Sequence, residues 1–305
     1  MIENIKEGLK LTHKNWQLLP IQIAVMVIIF IGFILFVGIP LAIAFVFFGI
    51  DLTHAKDFLN VLKNPLEFLS RYFGLTIFII LTFFIYLCFA SVLSIFGFSG
   101  TLGVLRNSAL NTQYKFSFPS FIKESKSLFF PIFWFGSIVL LIFMLVSFIV
   151  GIVAGIGFSV VSAYEQGTVL VLFMAYFLAL LLILSAVAVT ILVLTVSAYA
   201  VTIISVDKTK TIEAFRKSYD FVKTKPNAIL FYLILIGSYM IINFILFFLN
   251  YPFTLIPVIG VFIYIPYQLV TYVFLNYLVL AISSSLIIFY TKSMGYQAES
   301  GAYEI

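Results

Sequence analysis

The chain has 305 residues, of which 63% are hydrophobic and only 10% charged, with a mean hydropathy of +1.20 and a net charge of +5. A soluble globule of this composition would hold far more apolar surface than it could bury, so most of the chain has lipid as its solvent. The charges are confined to short segments: residues 17–50, 72–105, 127–164, 166–206 and 226–291 carry no Asp, Glu, Lys or Arg. Each run exceeds the roughly 20 apolar residues that a spanning helix needs. The runs do not alternate polar with apolar residues, which argues against a membrane β-barrel and leaves helices, whose backbone groups are satisfied within the segment.

The expected fold is an all-α integral membrane protein: one membrane domain over 1–305, six transmembrane helices, and an amphipathic interfacial elbow helix before helices 1, 3 and 5. The first elbow covers 2–16, with Ile2, Ile5, Leu9 and Trp16 on one helical face and Glu3, Lys6, Glu7, Lys10 and Lys14 elsewhere. Helix 1 is expected at about 17–45, where Gly38 and Pro40 predict a kink. It is longer than the roughly 7–15-residue apolar core of a secretory signal and shows no small-residue cleavage site, so it is read as retained. In the following loop Asp51, Asp57 and Glu67 are mixed with Lys56, Lys63 and Arg71, beside His54, which reads as a solvated amphipathic face rather than a cation site.

Helix 2, about 73–100, holds Cys88, the single cysteine, so neither an intramolecular disulfide nor a cysteine metal cluster is expected. The second elbow, about 118–129, places Phe118, Phe121, Ile122, Ser125 and Phe129 against Lys123, Glu124 and Lys126, with Pro119 in its first turn. Helix 3 runs over about 130–160, where Gly151 and Gly155 form a small-xxx-small face read as helix packing. Glu165, with Gln166 and Gly167, reads as a solvated turn before helix 4, about 168–202.

The third elbow, about 211–225, sets Ile212, Phe215, Tyr219 and Val222 opposite Glu213, Arg216, Lys217, Asp220 and Lys223. Glu213 and Lys217 form a favourable i,i+4 pair. Arg216, Lys217, Lys223 and Lys225 are the candidate contacts to anionic headgroups or to a protein partner. Helices 5 and 6 are expected at about 227–249 and 267–291, with Asn243, Gln268 and Asn276 as a candidate intramembrane polar seam. Between them, 250–268 is uncharged and contains Pro252, Pro257 and Pro266, which predicts an irregular segment, either interfacial or re-entrant.

A proline stands where each elbow meets its span, at Pro20, Pro131 and Pro226, and bends the chain from lying on the membrane to crossing it. Three copies of elbow, helix, helix predict a threefold internal repeat. In this threading all Lys and Arg fall on one face except Lys56, Lys63 and Arg71. Basic residues keep to the cytoplasmic side, so both termini are expected in the cytoplasm and the protein in the inner cell membrane. The positive balance is then attraction to anionic headgroups, not to nucleic acid.

Ser99-Gly100-Thr101-Leu102-Gly103 leading to Phe116-Ser117-Phe118, then Thr211-Ile212-Glu213-Ala214-Phe215-Arg216-Lys217-Ser218, and the closing Phe289-Tyr290-Thr291-Lys292 resemble poorly characterised prokaryotic six-span proteins. Those look like the membrane domain that precedes some glycerophosphoryl diester phosphodiesterases. Many relatives have an acidic and a basic residue after that last tyrosine, where this chain has Thr291-Lys292. The resemblance implies architecture and carries no catalytic residues over; the phosphodiesterase catalytic domain is not read in this sequence.

No ionisable side chain lies well inside a span, and no acid, base or metal set converges, so the chain is read as non-enzymatic and without a cofactor. The expected role is a multi-pass inner-membrane protein that binds or moves lipids or other apolar molecules. The alternative is a membrane subunit of a larger complex, transporter-like or paired with a cytoplasmic protein, docked through 205–226.

Overall fold

The structure is a computed structural model of the chain, and it describes residues 1–47, 73–163, 169–254 and 259–296. These residues form α1 (Ile2–Lys14), α2 (Leu18–Phe33), a π-helical turn (Ile34–Gly38), α3 (Ile39–Phe47), α4 (Phe73–Leu110), α5 (Phe118–Ala163), α6 (Val169–Asp207), α7 (Thr211–Thr224), α8 (Asn227–Thr254) and α9 (Ile259–Ser293). There is no β-strand among the described residues. Among the described residues six stretches are long and apolar enough to cross a membrane: Leu18–Ala44, Phe73–Leu110, Phe118–Gly155, Tyr176–Asp207, Asn227–Pro252 and Phe262–Ser293. The chain is an all-α, multi-pass membrane protein.

The described chain divides into two compact units, where the sequence reads one domain: Gln17–Phe98, and Met1–Trp16 with Ser99–Ile305. The first holds α2, the π turn, α3 and most of α4. Aromatic pairs join its helices: Phe33 stands edge-on to Tyr86 at 5.3 Å and Phe36 is tilted against Phe89 at 5.2 Å. The interruption expected at Gly38 and Pro40 takes the form of the π turn. The Ile39 N–H reaches back five residues to the Ile34 carbonyl, and the wider turn absorbs the hydrogen bond that Pro40 cannot make.

The second unit is built around the three elbows, each packed on the end of a span. Helix α1 lies on the C-terminal end of α9, the start of α5 on the end of α4, and α7 on the end of α6. The faces that do this only partly coincide with those read from hydrophobic periodicity: Val222 is buried as expected, and Ile5 and Phe215 are half-buried. In α1 the buried residues are Gly8, Leu11 and Thr12, followed by Asn15, whereas Ile2, Leu9 and Trp16 are exposed. In α7 they are Ala214, Ser218, Phe221 and Val222, whereas Ile212 and Tyr219 are exposed. Small and hydroxyl side chains are buried because they let backbones come close and bond across the gap. The Ser218 hydroxyl donates to the Val196 carbonyl, and the Thr12 and Ser284 hydroxyls share a 2.9 Å bond. A Cβ on Gly8 would stand 2.8 Å from the Ser285 backbone, closer than real carbons approach.

Two expected boundaries are corrected. The second elbow is no separate helix: 118–129 is the beginning of α5, which passes through Pro131 without a break. In lipid an uninterrupted helix loses one bond at the proline, whereas a full break would expose several backbone groups. For the same reason the 250–268 segment is neither an interfacial nor a re-entrant irregular loop over most of its length. Residues 250–254 finish α8 and 259–268 begin α9, with Pro252 and Pro266 inside those helices; 255–258 lie outside the described residues.

The core of this unit sits at the end that carries the basic elbows. Phe231 stacks on Phe289 with centroids 4.5 Å apart, and Phe221 meets Tyr199 at 5.1 Å and Tyr290 at 5.2 Å. Farther along the spans, Leu140, Leu141, Met144, Leu145 and Phe148 of α5 and Phe177, Leu178 and Leu181 of α6 are exposed, as lipid-facing side chains would be.

Candidate functional site

A groove of about 720 Å³ opens between α5 and the start of α7, a volume in the ordinary range of ligand sites. One wall is the stripe Phe130, Trp134 and Ile138 with Pro131 beside it, spaced four residues apart so that the side chains stand above one another on α5. The other wall is Lys210, Thr211, Ile212, Glu213 and Arg216. Phe130 is 65% exposed, Trp134 59% and Ile212 78%, so the apolar surface is open to whatever surrounds the spans.

Two local features hold the walls together. Lys208 adopts a left-handed backbone with φ 53°, which reverses the chain directly after α6. Lys210 is extended and starts α7 with no side-chain cap. The Thr211 hydroxyl then donates to the Pro131 carbonyl at 3.0 Å and fixes the start of α7 against α5.

The charges of this edge are distributed unevenly. Glu213 is engaged by Lys217 at 3.0 Å, and Lys217 also stands 3.8 Å from Asp207. The hydrogen bond to Glu213, then the nearby Glu213 and Asp207 carboxylates, raise the pKa of Lys217 above its ordinary value. Lys210 and Arg216 are exposed and belong to no ion pair among the described residues. The groove therefore has at its rim two cations unpaired among the described residues, and an apolar floor.

A polar node that sequence reasoning missed is built on Arg106 and Glu124. Arg106, 5% exposed, reaches Glu124, 6% exposed, at 3.1 Å, and also donates to the Ser205 carbonyl at 3.0 Å and to the side-chain oxygen of Asn107. Asn107 adds a 3.3 Å bond to the same Glu124 oxygen, while Glu124 Oε2 is buried without a partner. The node ties together α4, α5 and α6. Asp207, at the end of α6, accepts from the Tyr290 and Tyr296 hydroxyls at 3.0 Å each. Burial first, and then the bond to Asp207, raise the Tyr296 pKa above its ordinary value.

The four basic residues expected to act together are divided. Arg216 lines the groove, Lys217 is occupied by carboxylates, and Lys223 and Lys225 stand exposed at the opposite end of α7. The residues of the candidate polar seam differ in exposure and bonding. Asn243 is exposed, Gln268 half-buried, and Asn276 donates to the Tyr272 carbonyl of its own helix at 2.8 Å. Gly151 and Gly155 meet no atom within 4 Å of where a Cβ would be, so neither glycine is in close contact with another described helix. Asp51, His54, Asp57, Glu67 and Glu165 lie outside the described residues. No cluster of three or more metal-ligating side chains occurs among the described residues.

Phe130, Trp134 and Ile138 could have been found from their i,i+4 spacing beside a basic segment, where aromatic residues mark the membrane interface. No sequence signal pairs Arg106 with Glu124. Compared with protein-family models, curated proteins and solved structures, the chain matches none.

Proposed function

We propose that this chain is a non-enzymatic, multi-pass protein of the cytoplasmic membrane, with both termini in the cytoplasm, that binds lipids or other amphipathic molecules and passes them along its surface. The observation that carries this reading is the groove between Phe130–Ile138 and Lys210–Arg216, apolar along α5 and cationic at its rim. Such a site is wetted by lipid on one side and by headgroups on the other, so a lipid needs no desolvation of charge to enter it. The reading includes a threefold repeat, since each elbow packs on the end of a span through a short stripe of small or hydroxyl residues. It also keeps the likeness to the phosphodiesterase membrane domain, whose motif glycines here, Gly100 and Gly103, stand against Ser125 and Glu124.

A second reading, membrane subunit of a larger complex docked through 205–226, is supported by the exposure of Ile212 and Tyr219 on α7 next to Arg216. Native mass spectrometry of the protein released gently from its own membranes separates the two. A retained, selected lipid without protein supports the first reading; a stoichiometric protein partner supports the second and counts against a stand-alone role.

A further inference from the structure

We propose that the occupant of the α5–α7 groove is an anionic phospholipid, its phosphate held between Lys210 and Arg216 and one acyl chain laid along Phe130, Trp134 and Ile138. This rests on the lipid-binding reading above and names the lipid class. Charge complementarity selects it. The rim presents two cations that form no ion pair among the described residues, and the one carboxylate in the wall, Glu213, is held by Lys217 at 3.0 Å. A zwitterionic headgroup would bring its ammonium among these cations with no free carboxylate in the wall to receive it; a headgroup with net negative charge meets no such opposition. The guanidinium of Arg216 matches a phosphate diester in planar, two-pronged geometry. The Phe130–Trp134–Ile138 stripe continues from that rim into the membrane-crossing stretch Phe118–Gly155, so headgroup and chain find their media in the right order. A soluble phosphate would leave the apolar stripe unused.

Trp134 is its own reporter, because Trp16 is the chain's other tryptophan. Full-length Trp16→Phe protein is reconstituted in phosphatidylcholine vesicles containing phosphatidylglycerol, with bromines on the acyl chains of one lipid or the other, and Trp134 fluorescence is followed against the brominated fraction. The expected result is quenching by phosphatidylglycerol that exceeds quenching by phosphatidylcholine at equal mole fraction. Replacing Lys210→Gln or Arg216→Gln should each reduce that preference by roughly fivefold, and both together should abolish it while quenching by lipid in general persists.

Equal quenching by the two lipids in the parent overturns the anionic assignment and leaves a lipid-lined groove standing. No quenching by either overturns the lipid reading itself and points to a protein cover, such as a second copy. A preference removed by millimolar glycerol phosphate overturns the assignment in favour of a soluble phosphate ligand.

Discussion

The Arg106 guanidinium stands 3.1 Å from Glu124 Oε1, with both side chains closed off from solvent, and joins the end of α4 to the start of α5. A buried ion pair stabilises little over an apolar pair of the same shape, but losing one partner strands a charge. Arg106→Met alone should therefore destabilise the protein by about 3–5 kcal/mol, and Arg106→Met with Glu124→Leu should recover most of that loss. Thermal unfolding in detergent, compared across the two single variants and the double, measures it. A double variant as unstable as the sum of the singles would mean that the pair is not the unit.

The glycines divide into those that touch and those that do not. Gly8→Ala places a carbon 2.8 Å from the Ser285 backbone, which cannot yield as a side chain would, so it should loosen α1 from α9 and cost roughly 1–3 kcal/mol. Gly151→Ala and Gly155→Ala meet nothing and should leave stability unchanged or raise it by up to about 1 kcal/mol, the helix-propensity gain. The same detergent melts distinguish them. A loss at Gly151 would reveal a partner helix from outside the chain.

How much of this was legible in the sequence follows from what periodicity records. Five long uncharged runs, the last of them divided at the proline cluster of 250–266, give six spans, and six such stretches are present among the described residues. Elbow faces are a different matter. Hydrophobic periodicity reports where lipid and side-chain grease lie, and it marked Ile212 and Tyr219, which are exposed. The face that packs on protein is written in Gly8, Thr12, Ala214 and Ser218, residues whose importance depends on the helix opposite them. Prolines were over-read as breaks because a bilayer penalises broken helices more than water does, so Pro131, Pro252 and Pro266 all sit inside helices. The groove is assembled from residues some 80 positions apart, Pro131 and Thr211, and no local pattern connects them.

Lys217, held chiefly by the Glu213 hydrogen bond and also near Asp207, and Tyr296, chiefly buried and also bonded to Asp207, predict alkaline sensitivity. Both groups hold their proton more tightly when folded than at their ordinary values of 10.5 and 10.0. Their contribution is complete below those values and is lost as pH rises through the raised folded ones. Spin labels at Asp220→Cys and Met294→Cys, on a Cys88→Ser background, should report one distance from pH 7 to about 9.5 and a broadened distribution above about 10.5. Broadening near neutrality would assign the contact to other groups.

Orientation is testable with single cysteines on the same Cys88→Ser background. Lys115→Cys should be shielded from a membrane-impermeant maleimide in intact cells, and Glu165→Cys should react. The reverse pattern would invert the proposed topology, and with it the leaflet that the groove faces.

The most direct test of the central claim is lipid capture at the groove in native membranes. A photoreactive residue at Ile138, inside the groove, is compared with one at Leu141, exposed on the same helix but not among the groove's lining residues, and the adducts are identified by mass spectrometry. The account predicts that position 138 captures one acidic phospholipid class well above its share of the membrane, while position 141 returns the bulk composition. Identical bulk profiles at both positions, or a protein adduct at 138, would contradict it.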